Sequence, residues 1–437
     1  MENIIARGIL CCPRQAEIRQ DLLATLMNGG DCLKSGSVDE TYPGIRRIHR
    51  IRLYPALPHL RLKLVEIELG CRWFKVPHGA TVAMDDLLVC ILGVNFVVDL
   101  AVVIRQQRDV DLLVLADHDW LINQRGVATV EPFDGTQVHG VVWQLSDHDL
   151  ATLDSAEGVP QRYRRDRLTV HTEDGPSDAW VYIDRRVNLG PPRPGYLERI
   201  IDGALHHGLP QRWIDFLRRW DPSRWPRPRK RPTTPAPQSL SELLSDAGVV
   251  EVSRLRSRFG FLAIHGGGLE EMTDVIAERA ADTADASVYL VRHPDRYPHH
   301  LSSARFHADE SARLAEFLDH VDIAVSLHGY GRIGRATQLL AGGRNRALAA
   351  HVAGHLDLPG YRVVTDLDEI PLELRGLHPQ NPVNQTRDGG AQLELPTRVR
   401  GISPRSPLPG DDGLSPVTSA LVQGLVAAAR SWKLRSQ

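Results

Sequence analysis

The sequence predicts an α/β protein whose C-terminal half folds around a mostly parallel sheet covered by helices. Three observations predict this. After residue 238, apolar runs of strand length alternate with amphipathic stretches of helical length. A proline- and arginine-rich segment, 221–237 (DPSRWPRPRKRPTTPAP), lacks apolar periodicity and reads as an extended spacer that separates this half from what precedes it. Two of the apolar runs end in histidine, His265 and His328, at the carboxyl ends of strands, where ligands gather in such folds.

The elements follow in order. A short helix opens near 239–244, then come strand 259–264, helix 269–281, strand 287–291, helix 309–319, strand 321–327, helix 344–356 and strands 361–365 and 391–395. The last helix is marked most fully: Ser415 caps it, Pro416 occupies its first turn, and Val417, Leu421, Leu425 and Ala428 form its buried stripe. Upstream of the spacer, 138–145 reads as a strand and 146–157 as a capped helix ending before Gly158. Gly190-Pro-Pro-Arg-Pro-Gly-Tyr196 leads into another helix.

Composition bounds the function classes. The 437 residues exceed one compact core, and the formal charge of -2 with pI near 6.8 argues against whole-protein attraction to nucleic acid or membrane. The basic cluster Arg227, Arg229, Lys230 and Arg231 reads first as a solvated linker. Cys11, Cys12, Cys32, Cys71 and Cys90 have no ribbon or finger spacing, which favours a reducing, cytoplasmic setting and leaves metal binding to other residues. The N-terminus lacks the basic-then-apolar order of a secretory signal. The run 87–104 has spanning length but carries Asp99, so it reads as buried strands or a core helix. The expectation is a soluble protein with no membrane, nucleic-acid or obligate protein partner.

The motif His265-Gly-Gly-Gly-Leu-Glu270 carries the chemistry. Glycines let the chain turn sharply after a strand, which brings Glu270, expected on the first helical turn, back beside His265. Catalytic zinc takes three ligands from His and Glu or Asp and keeps a fourth position open, and His265, Glu270 and His328 supply that set. In Gln392-Leu-Glu394-Leu-Pro396, strand alternation places Gln392 and Glu394 on one face, and a carboxylate on a central strand needs a partner or a task. Each residue alone has a plainer reading: a glycine turn or anion nest, a satisfied core histidine, an ion pair of Glu394 with Arg398 or Arg400. Their coincidence at matching strand ends favours the metal.

His265-Gly-Gly-Gly-Leu-Glu270, Ser326-Leu-His328-Gly-Tyr330, Asn381-Pro-Val-Asn384 and Gly389-Gly-Ala-Gln-Leu-Glu-Leu-Pro396 together resemble the poly-gamma-glutamate hydrolase family, over about 240–432. The segment from His300 to His307 resembles that family only loosely. The resemblance implies a zinc carboxypeptidase-like α/β/α sandwich that cuts γ-glutamyl amide bonds. His265, Glu270 and His328 would be its ligands and Glu394 its catalytic carboxylate, taking a proton from water polarised by Zn2+ and returning it to the leaving amine. An anionic γ-glutamyl polymer needs cations. Arg332, Arg335 and Arg398 are the candidates for its free carboxylates, with Asn384 beside them, against the alternative of ordinary surface arginines.

Arg125-Gly-Val-Ala-Thr129, Asp154-Ser-Ala-Glu-Gly158 and Gly190-Pro-Pro-Arg-Pro194 resemble the gamma-glutamylcyclotransferase family, from about 118 to 220. That resemblance implies a mixed β-barrel with helices, Glu157 as catalytic base, Tyr163 at the substrate and ring closure to 5-oxoproline. The family's glycine-serine-asparagine loop has only Lys34-Ser-Gly-Ser-Val38 as a poor substitute. A retained barrel that binds or docks therefore stays open beside an active one.

The expected division is an unassigned 1–117, which either completes the barrel or forms an extra domain, then 118–220, linker 221–238 and zinc domain 239–437. The function expected is γ-glutamyl hydrolysis with cyclisation as a second activity. Two alternatives remain: a zinc carboxypeptidase or amidohydrolase for other acyl-amino acids, and a metal-free protein that binds acidic polymers.

Overall fold

The computed structural model of the chain describes residues 3–7, 48–54, 64–69, 72–75, 110–145, 147–224 and 235–433. All five cysteines, Lys34 to Val38, the apolar run 87–104 and the basic cluster from Arg227 to Arg231 lie outside these residues. Among the described residues no helix is long and apolar enough to cross a membrane.

The upstream strands are β1 (Asn3–Arg7), β2 (Ile48–Tyr54), β3 (Leu64–Leu69), β4 (Arg72–Lys75), β5 (Val110–Ile122), β6 (Ala128–Leu145), β7 (Tyr163–Thr172) and β8 (Gly175–Asp184). They are joined by helices α1 (Asp147–Glu157), α2 (Tyr196–His206) and α3 (Gln211–Arg218). Five strands close into a barrel in the order β1-β6-β5-β7-β8, and β2-β3-β4 form a separate antiparallel sheet. β1 runs antiparallel to β6 from Asn3 opposite Leu145 to Arg7 opposite Val141, so the region before residue 118 supplies both β1 and most of β5 to the barrel.

By backbone packing the chain divides into two units. One holds the described parts of Met1–Leu113 with Gly140–Arg185 and Glu198–Leu209; the other holds Val114–His139, Arg186–Leu197 and Pro210–Gln437. One boundary falls within β6, which has 18 residues against about 5–6 for a common strand. In the second unit Trp120 of β5 meets Trp213, Phe216 and Trp220 edge-on at 6.3, 6.3 and 5.4 Å. Arg219 there donates to the carbonyls of Gly401 at 3.0 Å and Ser403 at 2.7 Å.

That unit's main sheet contains β9 (Val250–Arg254), β10 (Phe259–Gly267), β11 (Ser287–His293), β12 (Ile323–Tyr330), β13 (Gln338–Gly342), β14 (Arg362–Val364) and β15 (Gly390–Pro396). Its helices are α4 (Leu240–Ser245), α5 (Thr273–Ala284), α6 (Ala312–His320), α7 (Arg346–Gly354) and α8 (Pro416–Ser431). The strand order is β14-β13-β15-β12-β10-β11-β9, parallel except where β9 meets β11 and β13 meets β15. The sheet is thus mostly parallel, as the alternation predicts. β9 and β13, each five residues long, are absent from the sequence reading.

Alternate side chains face opposite helices. Phe261, Ala263, Val288, Leu290, Val325, Leu327, Leu393 and Leu395 pack with Ile276 of α5, Leu348 of α7 and Leu421 and Leu425 of α8. Leu262, Ile264, Tyr289, Val291 and Ala324 pack with Leu240 and Leu243 of α4 and Leu314 and Phe317 of α6. Burial on both faces explains why these strands read as unbroken apolar runs. Each fully buried Leu, Val or Phe contributes about 1.5–3 kcal/mol by leaving water. The predicted cap of the last helix forms, with Ser415 accepting from Thr418 N, and Ser239 likewise accepts from Glu242 N; the predicted cap at Ser146 lies outside the described residues.

Candidate functional site

β10 and β12 end side by side, and they carry the two histidines. β10 runs on to Gly267, so His265 sits within the strand, and His328 likewise lies inside β12. The glycine loop then folds back, with Glu270 N donating to His265 O at 2.8 Å. Gly267 has φ +69, and a Cβ there would lie 2.3 Å from His293 O; at Gly268 it would lie 2.3 Å from Pro294 O. Only glycine fits so close a backbone approach. Glu270 is not on the first helical turn. α5 starts at Thr273 after Met272 in the left-handed region (φ +74), because the backbone that returns Glu270 to His265 is still turning.

The hydrogen bonds at the site leave a specific deficit. His265 Nε2 lies 2.9 Å from Leu301 O, an acceptor without a proton, so Nε2 donates. In the neutral ring Nδ1 is then bare, yet it faces Glu270 Oε1 at 3.1 Å. Two acceptors in contact repel unless a proton or a cation lies between them. His328 also turns its Nδ1 toward Glu270, 3.5 Å from Oε2, while its Nε2 meets Ser326 Oγ at 2.9 Å. The ligand atoms of His265, Glu270 and His328 all lie within 4.8 Å of one another. Donors on one tetrahedral zinc stand roughly 3.3–3.5 Å apart. Donor types, spacing and outer hydrogen bonds therefore fit the ion.

Electrostatics agree with the geometry. Burial opposes ionisation of Glu270, but the charges and hydrogen bonds of His265 and His328 outweigh it and hold the carboxyl well below its ordinary range. Burial likewise opposes the charge of His328, and Glu270 overcomes it, raising the imidazole. His300 covers the solvent side, its ring centroid 4.3 Å from that of His265.

Glu394 lies beside His328 in the register of β12 and β15. It is 4 % exposed, and burial pushes its carboxyl up. Gln392 Nε2 donates to Glu394 Oε1 at 2.7 Å, and Asn381 Nδ2 donates to Gln392 Oε1 at 2.7 Å. The predicted alternation therefore holds, with Leu393 and Leu395 turned into the opposite core.

The expected substrate residues separate. Arg332 and Arg335 follow β12, Arg332 paired with Glu373 at the surface and Arg335 NH1 donating to Gln338 Oε1 at 2.9 Å. Arg398 has a side chain 1 % exposed, with NH2 3.0 Å from Asp119 Oδ2 and the guanidinium 3.5 Å over the Phe133 ring. Asn384 Nδ2 donates to Gly376 O at 2.7 Å and its Oδ1 accepts from Arg344 N at 3.1 Å. The Arg398–Asp119 contact spans 279 positions, whereas Asn384 reaches Arg344 across 40 and Gly376 across 8. Leu301, Asn381 and Ser326 gain positioning roles that sequence reasoning missed; only Ser326, two residues from His328 on one strand face, carried a local signal.

In the other unit Glu157 closes α1 and Tyr163 opens β7, both half-buried. The polar centre nearby in sequence is Asp154, which accepts from Tyr182 OH at 2.7 Å and Arg165 NH1 at 2.6 Å, with Arg165 4.6 Å over the Trp180 ring. Burial, then Asp154, raise the Tyr182 phenol.

Comparison with known proteins places two families on the chain. Residues 238–402 match the family model of poly-gamma-glutamate hydrolase, and residues 137–217 match the AIG2-like family. Gamma-glutamylcyclotransferase of Mus musculus is 31% identical over 102 residues, 23% of this chain and 54% of the relative; that of Homo sapiens is 32% identical over 100 residues, 22% and 53%. The chain thus spans about half the length of the curated relatives it matches. Among solved structures, a bacteriophage poly-gamma-glutamate hydrolase is 22% identical with TM-score 0.36, covering 43% of this chain and 91% of that one. The zinc-free apo form of YNDL is 24% identical with TM-score 0.38, covering 44% and 96%.

Proposed function

We propose that the second unit is a zinc-dependent hydrolase of γ-glutamyl amide bonds, with a carboxypeptidase-like α/β/α arrangement. The barrel would be a gamma-glutamylcyclotransferase-like partner acting on the same linkage. The observation that carries the reading is the bare Nδ1 of His265 facing the Glu270 carboxylate, with Nε2 already spent on Leu301 O. The family match over 238–402 selects the bond.

His265, Glu270 and His328 would hold the ion. Zinc, when bound, supplies Lewis-acid polarisation of the scissile carbonyl and lowers the pKa of water to about 7. Glu394, oriented by Gln392, accepts the proton of the attacking water and passes it to the departing amine, so the amide C–N bond breaks as the new C–O bond forms. Arg332 and Arg335 offer guanidinium forks to substrate carboxylates, and exchanging their exposed partners costs little, since such pairs contribute about 0–1 kcal/mol. In the barrel, Glu157 would take a proton from the substrate's α-amine as that nitrogen attacks the γ-carbonyl and return it to the departing amine, so that the γ-amide C–N bond breaks as the ring C–N bond closes 5-oxoproline.

The test is to measure zinc bound by the purified full chain and to assay release of fragments from poly-γ-glutamate against α-linked polyglutamate. One zinc per chain with cleavage of the γ-linked polymer alone is expected. A zinc-free chain that leaves both polymers intact sinks the reading, and equal cleavage of both moves it to a general amidohydrolase.

A further inference from the structure

Arg400 is 5 % exposed, and each face of its side chain meets the chain next to one of the site residues. Its Nε donates to Leu395 O at 3.1 Å, the residue after Glu394. Its NH1 donates to Glu271 O at 2.6 Å, the residue after Glu270. Its guanidinium lies flat against Gly329, the residue after His328, where a Cβ would fall 2.7 Å from Cζ. Gly329 N in turn donates to Glu270 Oε2 at 2.8 Å. Glu270, Glu271 and Glu394 are the carboxylates whose charge reaches it.

We infer that Arg400 is a positioning residue that sets the mutual placement of Glu270, His328 and Glu394 by clamping the backbone of their neighbours. This inference rests on the proposed zinc site. Three strand and loop ends meet there, contributed by β12, β15 and the glycine loop after β10, and the guanidinium touches all three. A rigid planar fork holds two carbonyls in fixed directions while its face packs on glycine, which a lysine ammonium cannot reproduce. Burial of a cation among three carboxylates also offsets their mutual repulsion when the ion is absent.

The test uses the full apo chain and titrates zinc in competition with a chromogenic chelator, alongside thermal midpoints and kcat and KM on poly-γ-glutamate. Arg400→Lys and Arg400→Ala are expected to fold, to lose about 10–100-fold in zinc affinity and in kcat, and to leave KM little changed, as for partners of metal ligands generally. Guanidinium ion added to Arg400→Ala should restore part of the lost zinc affinity. Gly329→Ala keeps the arginine but wedges a methyl against it, and should weaken zinc in the same direction. A folded Arg400 variant with the affinity and kcat of the parent overturns the inference. If neither Arg400 variant folds, unchanged zinc affinity in Gly329→Ala overturns it instead. A parent chain that takes up no zinc overturns the proposed function itself, a result distinguishable from an arginine that proves indifferent.

Discussion

The zinc-site candidate and the Asp154 centre of the barrel are both half-hidden polar networks, and they are built on opposite principles. Around Asp154 the carboxylate is met by donors that carry their own protons, Tyr182 OH and Arg165 NH1. Around Glu270 the outer positions are taken by Leu301 O, Ser326 Oγ and Gly329 N, and two imidazole Nδ1 atoms point inward at one carboxylate, where a proton or a cation must lie between them. A carboxylate met by proton-bearing donors needs no cation, whereas one met by two imidazole nitrogens can share one with them.

Removing a ligand should break this contrast most completely. His265→Ala is expected to abolish zinc binding and hydrolysis together while 5-oxoproline formation persists; retained stoichiometric zinc by metal analysis would contradict the ligand set. Next in size, Glu394→Gln should keep zinc and lose about 10²–10⁴-fold in kcat, the usual worth of a general base. Full turnover there would assign the base elsewhere. In the barrel, Glu157→Gln should reduce 5-oxoproline formation from a γ-glutamyl amine by a similar factor of about 10²–10⁴ and leave polymer cleavage intact. Product detection by chromatography decides it.

The smallest effect concerns stability. Burial lowers the His293 imidazole from 6.5 to about 4 in the folded chain. The unfolded chain therefore binds a proton that the folded one refuses between these values, and stability should fall as pH drops from 6.5 towards 4. His293→Gln should flatten that slope in denaturant titrations at a series of pH values. An unchanged slope would exclude His293 as its source.

Much of the C-terminal fold was legible because the cues are local. Strands buried on both faces read as apolar runs, Ser415-Pro416 marks a helix start, and three glycines after a strand mark a sharp return. β9 and β13, the two strands that make the antiparallel pairings of the sheet, were not read from the sequence. Nor was the placement of Glu270 ahead of α5, which depends on the left-handed Met272.

By itself the sequence determined which residue types stand at the ends of β10, β12 and β15, because strand period and glycine spacing are properties of adjacent positions. Only the tertiary structure decided their company. It gave Arg398 to Asp119 and Arg400 to the backbone beside Glu270 and Glu394, and it turned both imidazole Nδ1 atoms toward one carboxylate. Which arginine serves the site and which serves packing depends on contacts between segments up to 279 positions apart, from residue 119 to residue 398, and no local pattern encodes those.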